Sequence, residues 1–256
     1  MKLSTHLKTL LAIFFLLGGG YLLYTIQSRP ASTVITSDEI EDILLHIHDK
    51  DALVIFDIDN TLITPEDMQA SDPWFSQEMD TLIQQGYTPQ QAVKKILPEH
   101  LEAHSTSTFY PVETGDTRAV VNALHEANIQ VLAITARSGD FSTLTYEQLD
   151  ATNILLTPED MKWPRICYIF RDLDPPVYYT PGILSVAGGD KGQALQTFLE
   201  HLEYLPSQVI IIDDRLKNIE KVQAAVRNMN IPFTGLHYTR VKTNPERGYA
   251  VEQHAA

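Results

Sequence analysis

Asp57 and Asp59 stand two residues apart in the stretch Asp57-Ile58-Asp59-Asn60-Thr61, directly after the apolar run Ala52-Leu-Val-Ile-Phe56. On an extended backbone that spacing turns both carboxylates to one side. Two close carboxylates repel and shift each other's pKa unless a cation separates them. Beside a divalent cation, one can act as ligand and as nucleophile toward phosphorus, while the other gives and takes protons. A second acidic pair, Asp213-Asp214, follows another wholly apolar run, Val209-Ile-Ile-Ile212. Oxygen donors of this kind suit Mg2+. Thr135, at the end of Gln130-Val-Leu-Ala-Ile134, offers a hydroxyl and a backbone N–H to a phosphate oxygen. Lys191 stands at the start of a helical stretch, where the dipole and the ammonium together favour an anion. It could also offset the charge of Asp57 and of a transferring phosphoryl group. Lys162 is the alternative lysine, although nothing around it reads as a site.

These four motifs, in this order, resemble those of the haloacid dehalogenase-like superfamily of aspartate-dependent phosphohydrolases. DIDNT with the following Leu62 is similar to the D-x-D-x-T loop of that superfamily. LAITAR, ending on Thr135, is similar to its second motif, GGDKGQAL around Lys191 to its third, and IIIDDRLKN to its acidic fourth. The resemblance covers about residues 38–240. The DIDNTL loop behind an N-terminal apolar segment most resembles a bacterial secreted or anchored subgroup of unknown function.

The resemblance implies roles residue by residue. Asp57 would be the nucleophile that forms an aspartyl-phosphate, and Asp59 would protonate the leaving group and then activate water. Thr61 would shape the loop after the nucleophile. Thr135 and Lys191 would hold the phosphoryl oxygens. Mg2+ would be bound by Asp57, the Asp59 backbone carbonyl and the Asp213-Asp214 pair, with Asp214 as the direct ligand and Asp213 beside it. Asn218 falls where many members carry a further acid and would bind a water rather than the ion. An Asp at position 59 favours a phosphatase over a dehalogenase, because dehalogenation has no leaving alkoxide to protonate. Arg137 and Arg215, each following a motif, would touch substrate or pair with acids.

Positioning these residues requires strand ends. Three fully apolar runs, at 52–56, 130–134 and 209–212, suit strands buried on both faces. Helical spacing surrounds them: a helix from Ser37 through Ile47, then Thr117 to Asn128, 140–151, Asp190 to Glu203 and Leu216 to Asn228. Asn153–Leu156, Ile166–Phe170 and Phe233–Val241 read as further strands. Alternation of this kind predicts an α/β, doubly wound, Rossmann-like, mostly parallel sheet, which binds ligands at the carboxyl ends of its strands.

Residues 66–110 are rich in helix signals and lack a strong strand, which predicts a small helical cap inserted after the first strand. The expected organisation is 1–32 as membrane segment and linker, 33–65 with 111–256 as catalytic core, and 66–110 as cap. Trp74, Phe75, Tyr87, Phe109 and Tyr110 would line the site or build the cap's own core. His100 and His104, four apart, read as part of its exposed polar face. The sequence Thr-Pro-Glu-Asp-Met occurs at 64–68 and again at 157–161 and reads both times as a helix start. Residues 138–187 are too short for a second large cap, and Tyr178-Tyr179 would build an edge or loop over the site. Cys167, inside an apolar stretch, reads as inert core.

The charge is unevenly divided. The chain has 256 residues and a net charge of −14. Residues 1–32 hold Lys2, Lys8 and Arg29 and no acid, so the remainder stands at −17. An acidic surface argues against a nucleic-acid partner. A single cysteine excludes an internal disulfide. Leu10–Ile26 is an uncharged apolar run preceded by Lys2, His6 and Lys8. A helix there would span about 25 Å, near the short limit for a bilayer, with the following chain outside the cytoplasm. A cleaved signal peptide and a buried helix are the other readings, and Gln27–Thr36 reads as linker. The expected partners are a small phosphorylated substrate and, through this segment, a membrane, with no sign of an obligate protein partner. The expected function is Mg2+-dependent cleavage of phosphate monoesters. The alternatives are phosphotransfer or mutase chemistry through the same intermediate, and a non-catalytic envelope or host-interaction module.

Overall fold

The computed structural model of the protein describes residues 30–113, 115–158 and 163–243. Two units are distinguished along the chain, Met1–Ala31 and Ser32–Ala256. The apolar run 10–26 and Lys162 lie outside the described residues. Among the described residues no helix is long and apolar enough to cross a membrane.

Ten strands are described: β1 (Ser32–Ser37), β2 (Ala52–Phe56), β3 (Ile63–Pro65), β4 (Phe109–Pro111), β5 (Gln130–Thr135), β6 (Tyr168–Phe170), β7 (Val177–Thr180), β8 (Ile183–Ser185), β9 (Gln208–Asp213) and β10 (Phe233–Tyr238). The helices are α1 (Asp72–Gln84), α2 (Pro89–Thr106), α3 (Asp116–Glu126), α4 (Ser142–Ala151), α5 (Lys191–His201), α6 (Leu216–Asn228) and the short α7 (Arg240–Thr243). Eight strands form one sheet in the order β1-β10-β9-β2-β5-β8-β7-β6. The pairs from β1 to β8 are parallel, and β7 and β6 complete the edge in antiparallel fashion.

Every residue of β2, β5 and β9 is buried. Alternate residues feed two separate cores, as the pleat requires. Val54, Phe56, Val131, Ala133, Ile210 and Ile212 join Ile40, Val120 and Leu124 on one face. Leu53, Ile55, Leu132, Ile134, Val209 and Ile211 join Leu195, Phe198, Ile219 and Val222 on the other. The apolar runs are continuous because both faces are covered.

The winding fixes where a ligand can go. From β2 the chain moves outward to β5 and β8, then crosses back to β9 and β10 on the other side of β2. The direction reverses between β2 and β9, and the crevice beyond their carboxyl ends is the expected binding position in such a sheet.

The short strands β3 and β4 pair antiparallel and form a two-stranded stalk. Between them lie a 3-10 turn (Met68–Ala70), α1 and α2, all within the stretch expected to be helical. The Ser71 hydroxyl caps α1 by accepting from Trp74 N (3.3 Å). Thr88 and Gln91 form a reciprocal capping box at the start of α2.

Several local expectations fail for physical reasons. Ser32–Thr36, expected as linker, is the edge strand β1, held in register by β10. Ile40–His46 is a 3-10 helix rather than a full α-helix. Thr64-Pro65 does not start a helix, because both residues belong to the stalk strand β3. Thr157-Pro158 is likewise non-helical, and 159–162 lie outside the described residues. Asn153–Leu156 is not a strand: Asn153 has φ 56°, the left-handed backbone that closes α4, and Ile154 and Leu156 pack into the core from a loop. Cys167 is exposed, just before the edge strand β6. Tyr178-Tyr179 lie in β7, near the sheet edge, as one of the two expectations had it.

Candidate active site

The carboxyl ends of β2, β5 and β9 lie side by side. Phe56 pairs with Ile212 on one side and Ala133 on the other, and Asp57 N donates to Ile212 O at 2.9 Å. This register sets Asp57 beside Asp213 and near Thr135. After β8 the chain is tied to the loop that follows Thr135. Val186 N donates to Thr135 O, Ala187 N to Arg137 O and Gly188 N to Ala136 O. That loop delivers Lys191 to the same end of the sheet. The Asp190 side chain caps α5 by accepting from Gly192 N and Gln193 N. Gly192 has no room for a side chain, since a Cβ there would lie 2.2 Å from Lys221 O of α6. The close approach of α5 to α6 thus holds the start of α5 in place.

The floor of the site is built from Asp57, Asp213, Asp214 and Lys191, all buried. Lys191 Nζ lies 2.7 Å from both Asp57 Oδ1 and Asp213 Oδ2. Asp213 is held further by Arg215 N (2.8 Å) and by the Asn218 amide, which donates to both of its oxygens (3.0 and 3.1 Å). Asn218 therefore faces Asp213, which the sequence reading did not foresee. One carboxylate oxygen each from Asp57, Asp213 and Asp214 lie within 4.8 Å of one another.

Burial raises the Asp57 carboxyl well above its ordinary range. Lys191 pulls it down, and the charges of Asp213 and Asp214 push it up again. For Lys191 burial works against the charged form, but Asp213 and Asp57 outweigh it and raise the ammonium. Three buried acids share the ammonium of Lys191, with the half-exposed Arg215 guanidinium also in their field. The donor set is hard oxygen and convergent, and it fits a divalent cation.

Asp59 belongs to a different set of contacts. Its side chain is 14% exposed, and its two oxygens receive Arg137 Nε (2.8 Å) and Nη2 (2.7 Å) in a bidentate pair. Burial alone would raise this carboxyl, but the Arg137 charge and hydrogen bonds overcome it and hold it at about 2. Its carboxylate lies outside the triad of acids. Asn60 follows with φ 60°, a left-handed turn that Asn tolerates better than most residues. Thr61 N, Leu62 N and Ile63 N all converge on Ile58 O, so Thr61 sits fully buried inside a tight loop. The Thr135 hydroxyl accepts from Arg137 N at 3.2 Å, which leaves its own O–H able to donate.

The wall over Asp59 comes from the cap and from α4. His100 and His104 are buried, against the expectation of an exposed face. Their rings pack on each other (4.5 Å) and against Phe75, Phe109 and Phe141. Sequence inspection missed a usable signal here: the buried residues of α2 are Ala92, Ile96, His100 and His104, one stripe at a spacing of four. Trp74, Phe75 and Phe109 join this cluster, whereas Tyr87 lies on the surface beside Lys95 and Tyr110 reaches Glu66. At the rim Arg215 pairs with Asp72 of α1 (2.6 Å). Of the two arginines that follow motifs, both pair with acids.

The chain is a doubly wound α/β protein with an acid-rich candidate site at its switch point, beside the helical insertion between β3 and β4. The chain belongs to the family described as "Protein of unknown function (DUF2608)", which matches residues 36–255. It is 26% identical over 226 residues to a "Putative outer membrane protein" of Chlamydia trachomatis serovar D, covering 88% of this chain and 84% of that one. A protein of the same description from Chlamydia muridarum is 26% identical over 215 residues, covering 84% and 79%. Among solved structures, one described as "Putative Phosphatase from Clostridium difficile" overlaps 75% of this chain and 97% of its own, at 13% identity and a TM-score of 0.46. The fold is defined by the strand order and crossovers above rather than by that overlap.

Proposed function

We propose that this protein is a Mg2+-dependent phosphomonoesterase that works through an aspartyl-phosphate on Asp57. The observation that carries the reading is the buried floor at the switch point, where Asp57 is gripped by Lys191 beside Asp213 and Asp214. Asp57 and Asp214 would hold the cation together with the Asp59 backbone carbonyl, and Asp213 is fixed beside them by Lys191, Arg215 N and Asn218. When bound, the ion would neutralise the acids and the charge developing on phosphorus.

The chain's own groups do the rest. An Asp57 oxygen bonds to phosphorus as the bond to the leaving oxygen breaks. The electron pair stays on that oxygen, which takes the proton of the Asp59 carboxyl. Water then attacks phosphorus and gives its proton to Asp59, and the bond between Asp57 and phosphorus breaks to release phosphate. Lys191 and the Thr135 hydroxyl would bind the phosphoryl oxygens throughout. Paired with Arg137, Asp59 is a carboxylate at neutral pH, the form required to take a proton from water. The first step needs Asp59 protonated, which the negative charge of an incoming phosphate would favour.

The basic flank before residues 10–26 and the names of the relatives support an extracytoplasmic, envelope-associated site, anchored or secreted. The test of the catalytic reading is direct. Purified full-length protein should hydrolyse p-nitrophenyl phosphate with Mg2+ and lose that activity in chelator. Asp57→Asn should lower turnover at least about 10^4-fold without lowering the melting temperature, since it relieves carboxylate repulsion. An inactive wild type, or full activity in Asp57→Asn, overturns the reading.

A further inference from the structure

Arg137 spends all its visible hydrogen bonds inside the protein. Nε and Nη2 grip Asp59, while Nη1 donates to Thr145 Oγ1 (2.9 Å) and Gln148 Oε1 (2.7 Å), both on α4. Its guanidinium also lies 5.7 Å from the ring centroid of Phe109, where the stalk returns from the cap. Gln148 has a second arm: its Nε2 donates to His104 O of the cap helix α2 at 2.9 Å. A continuous path thus runs from the cap through His104, Gln148 and Arg137 to the carboxylate of Asp59. Nothing in the motif pattern requires it.

We propose that Arg137 is a positioning residue for Asp59, and that Gln148 makes this positioning depend on the seating of the cap. The inference rests on the phosphatase reading and deepens it. A planar, bidentate fork fixes both oxygens of a carboxylate, and so fixes the direction in which Asp59 meets a leaving oxygen. Gln148 and Thr145 hold the fork from behind. With α2 lifted away, Gln148 loses one of its two partners and the fork loses its fixed support. Proton delivery to the leaving group is thereby tied to a closed cap.

Leaving-group dependence distinguishes this role from a structural one. A nitrophenolate departs without needing a proton, whereas an alkoxide needs one. Full-length wild type, Gln148→Leu and Arg137→Lys would be assayed with p-nitrophenyl phosphate and with ethyl phosphate, alone and combined with Asp59→Asn. Each variant should lose at least tenfold more kcat/KM on ethyl phosphate than on p-nitrophenyl phosphate, since kcat/KM reports formation of the aspartyl-phosphate and excludes the hydrolysis step that both esters share. Neither should lose more than about twofold further on ethyl phosphate in the Asp59→Asn background, because the group they position is already gone. Lys at 137 keeps the charge but cannot form the fork, so it should not rescue. Equal losses of kcat/KM on the two esters, or losses that add fully to that of Asp59→Asn, overturn the proposal while the phosphatase reading stands. A wild type inactive on both esters overturns both. Melting curves identify any variant that is simply unfolded, and Gln148→Leu, which keeps the side-chain volume, is the milder of the two.

Discussion

Asp57 and Asp59 are two residues apart yet belong to two different constructions. Asp57 is part of the floor, where each partner comes from the core: Lys191 from the start of α5, Asp213 from the end of β9. Asp59 is part of the wall, whose partners trace back to the cap through Arg137, Gln148 and His104. The floor has an excess of negative charge held by buried geometry. In the wall, one carboxylate meets one guanidinium, which lies beside the ring of Phe109. On the proposed reading, the floor would hold a cation and a phosphoryl group, and the wall would control when and how a proton is delivered.

Removing the floor's cation should produce the largest effect on stability. Lys191 is 1% exposed and touches two carboxylates. Lys191→Met would leave both without their ammonium, at a cost of about 3–5 kcal/mol. Denaturant melts in chelator would measure it. Added Mg2+ should recover part of the loss, since a ligand that binds only the folded state stabilises it by mass action. A loss below about 1 kcal/mol would mean that the floor is not a charge cluster that depends on Lys191, and the contrast with the wall would collapse.

The same contrast explains what was legible in the sequence. The strands beneath the floor are buried on both faces, so β2, β5 and β9 appear as unbroken apolar runs and the first polar residue after each marks a strand end. The candidates Asp57, Thr135 and Asp213-Asp214 stand out in that way, and Lys191 by its place at a helix start. The wall has no such grammar. Gln148 lies on the weakly amphipathic α4, and its two partners are 11 and 44 residues away. His100 and His104 looked exposed because their neighbours in sequence are polar, yet packing against Phe109 and Phe141 buries them. The stalk strands β3 and β4 are three residues each, too short to carry a period. The edge strand β1 is mostly exposed, so its alternation was hidden. Cys167 has apolar neighbours, but an edge has one face open to water.

The wall should respond to pH where the floor's lysine does not. Burial, then the Arg137 charge, lower His104 to about 3 despite the opposing pull of Asp59. His100 adds to the lowering, and a hydrogen bond to the Ala70 backbone opposes it. The unfolded chain takes up this proton near pH 6.5, while the folded chain does not until about pH 3. Between those values the unfolded state binds more protons, so stability contributed by neutral His104 is complete above 6.5 and falls as the pH drops. The slope is at most about 1.4 kcal/mol per pH unit. His104→Phe keeps the ring packing and removes the titration. Its melting temperature should lose less than that of wild type between pH 7 and pH 5. Equal losses in the two proteins would mean that His104 is not held neutral in the wall.

The smallest effect is expected where floor and cap meet at the rim. Arg215 follows the floor acids directly, and its guanidinium pairs with Asp72 at the start of α1. The two side chains are 44% and 27% exposed, so water and salt screen them. A double-mutant cycle of Arg215→Ala with Asp72→Asn should give a coupling of about 0.2–1 kcal/mol that shrinks in high salt. The buried path through Gln148 and Arg137 would then be the stronger tie between cap and site, because its hydrogen bonds are shielded from solvent. A salt-insensitive coupling above about 2 kcal/mol at the rim would reverse that ranking and make Arg215, rather than Gln148, the main tie between the cap and the site.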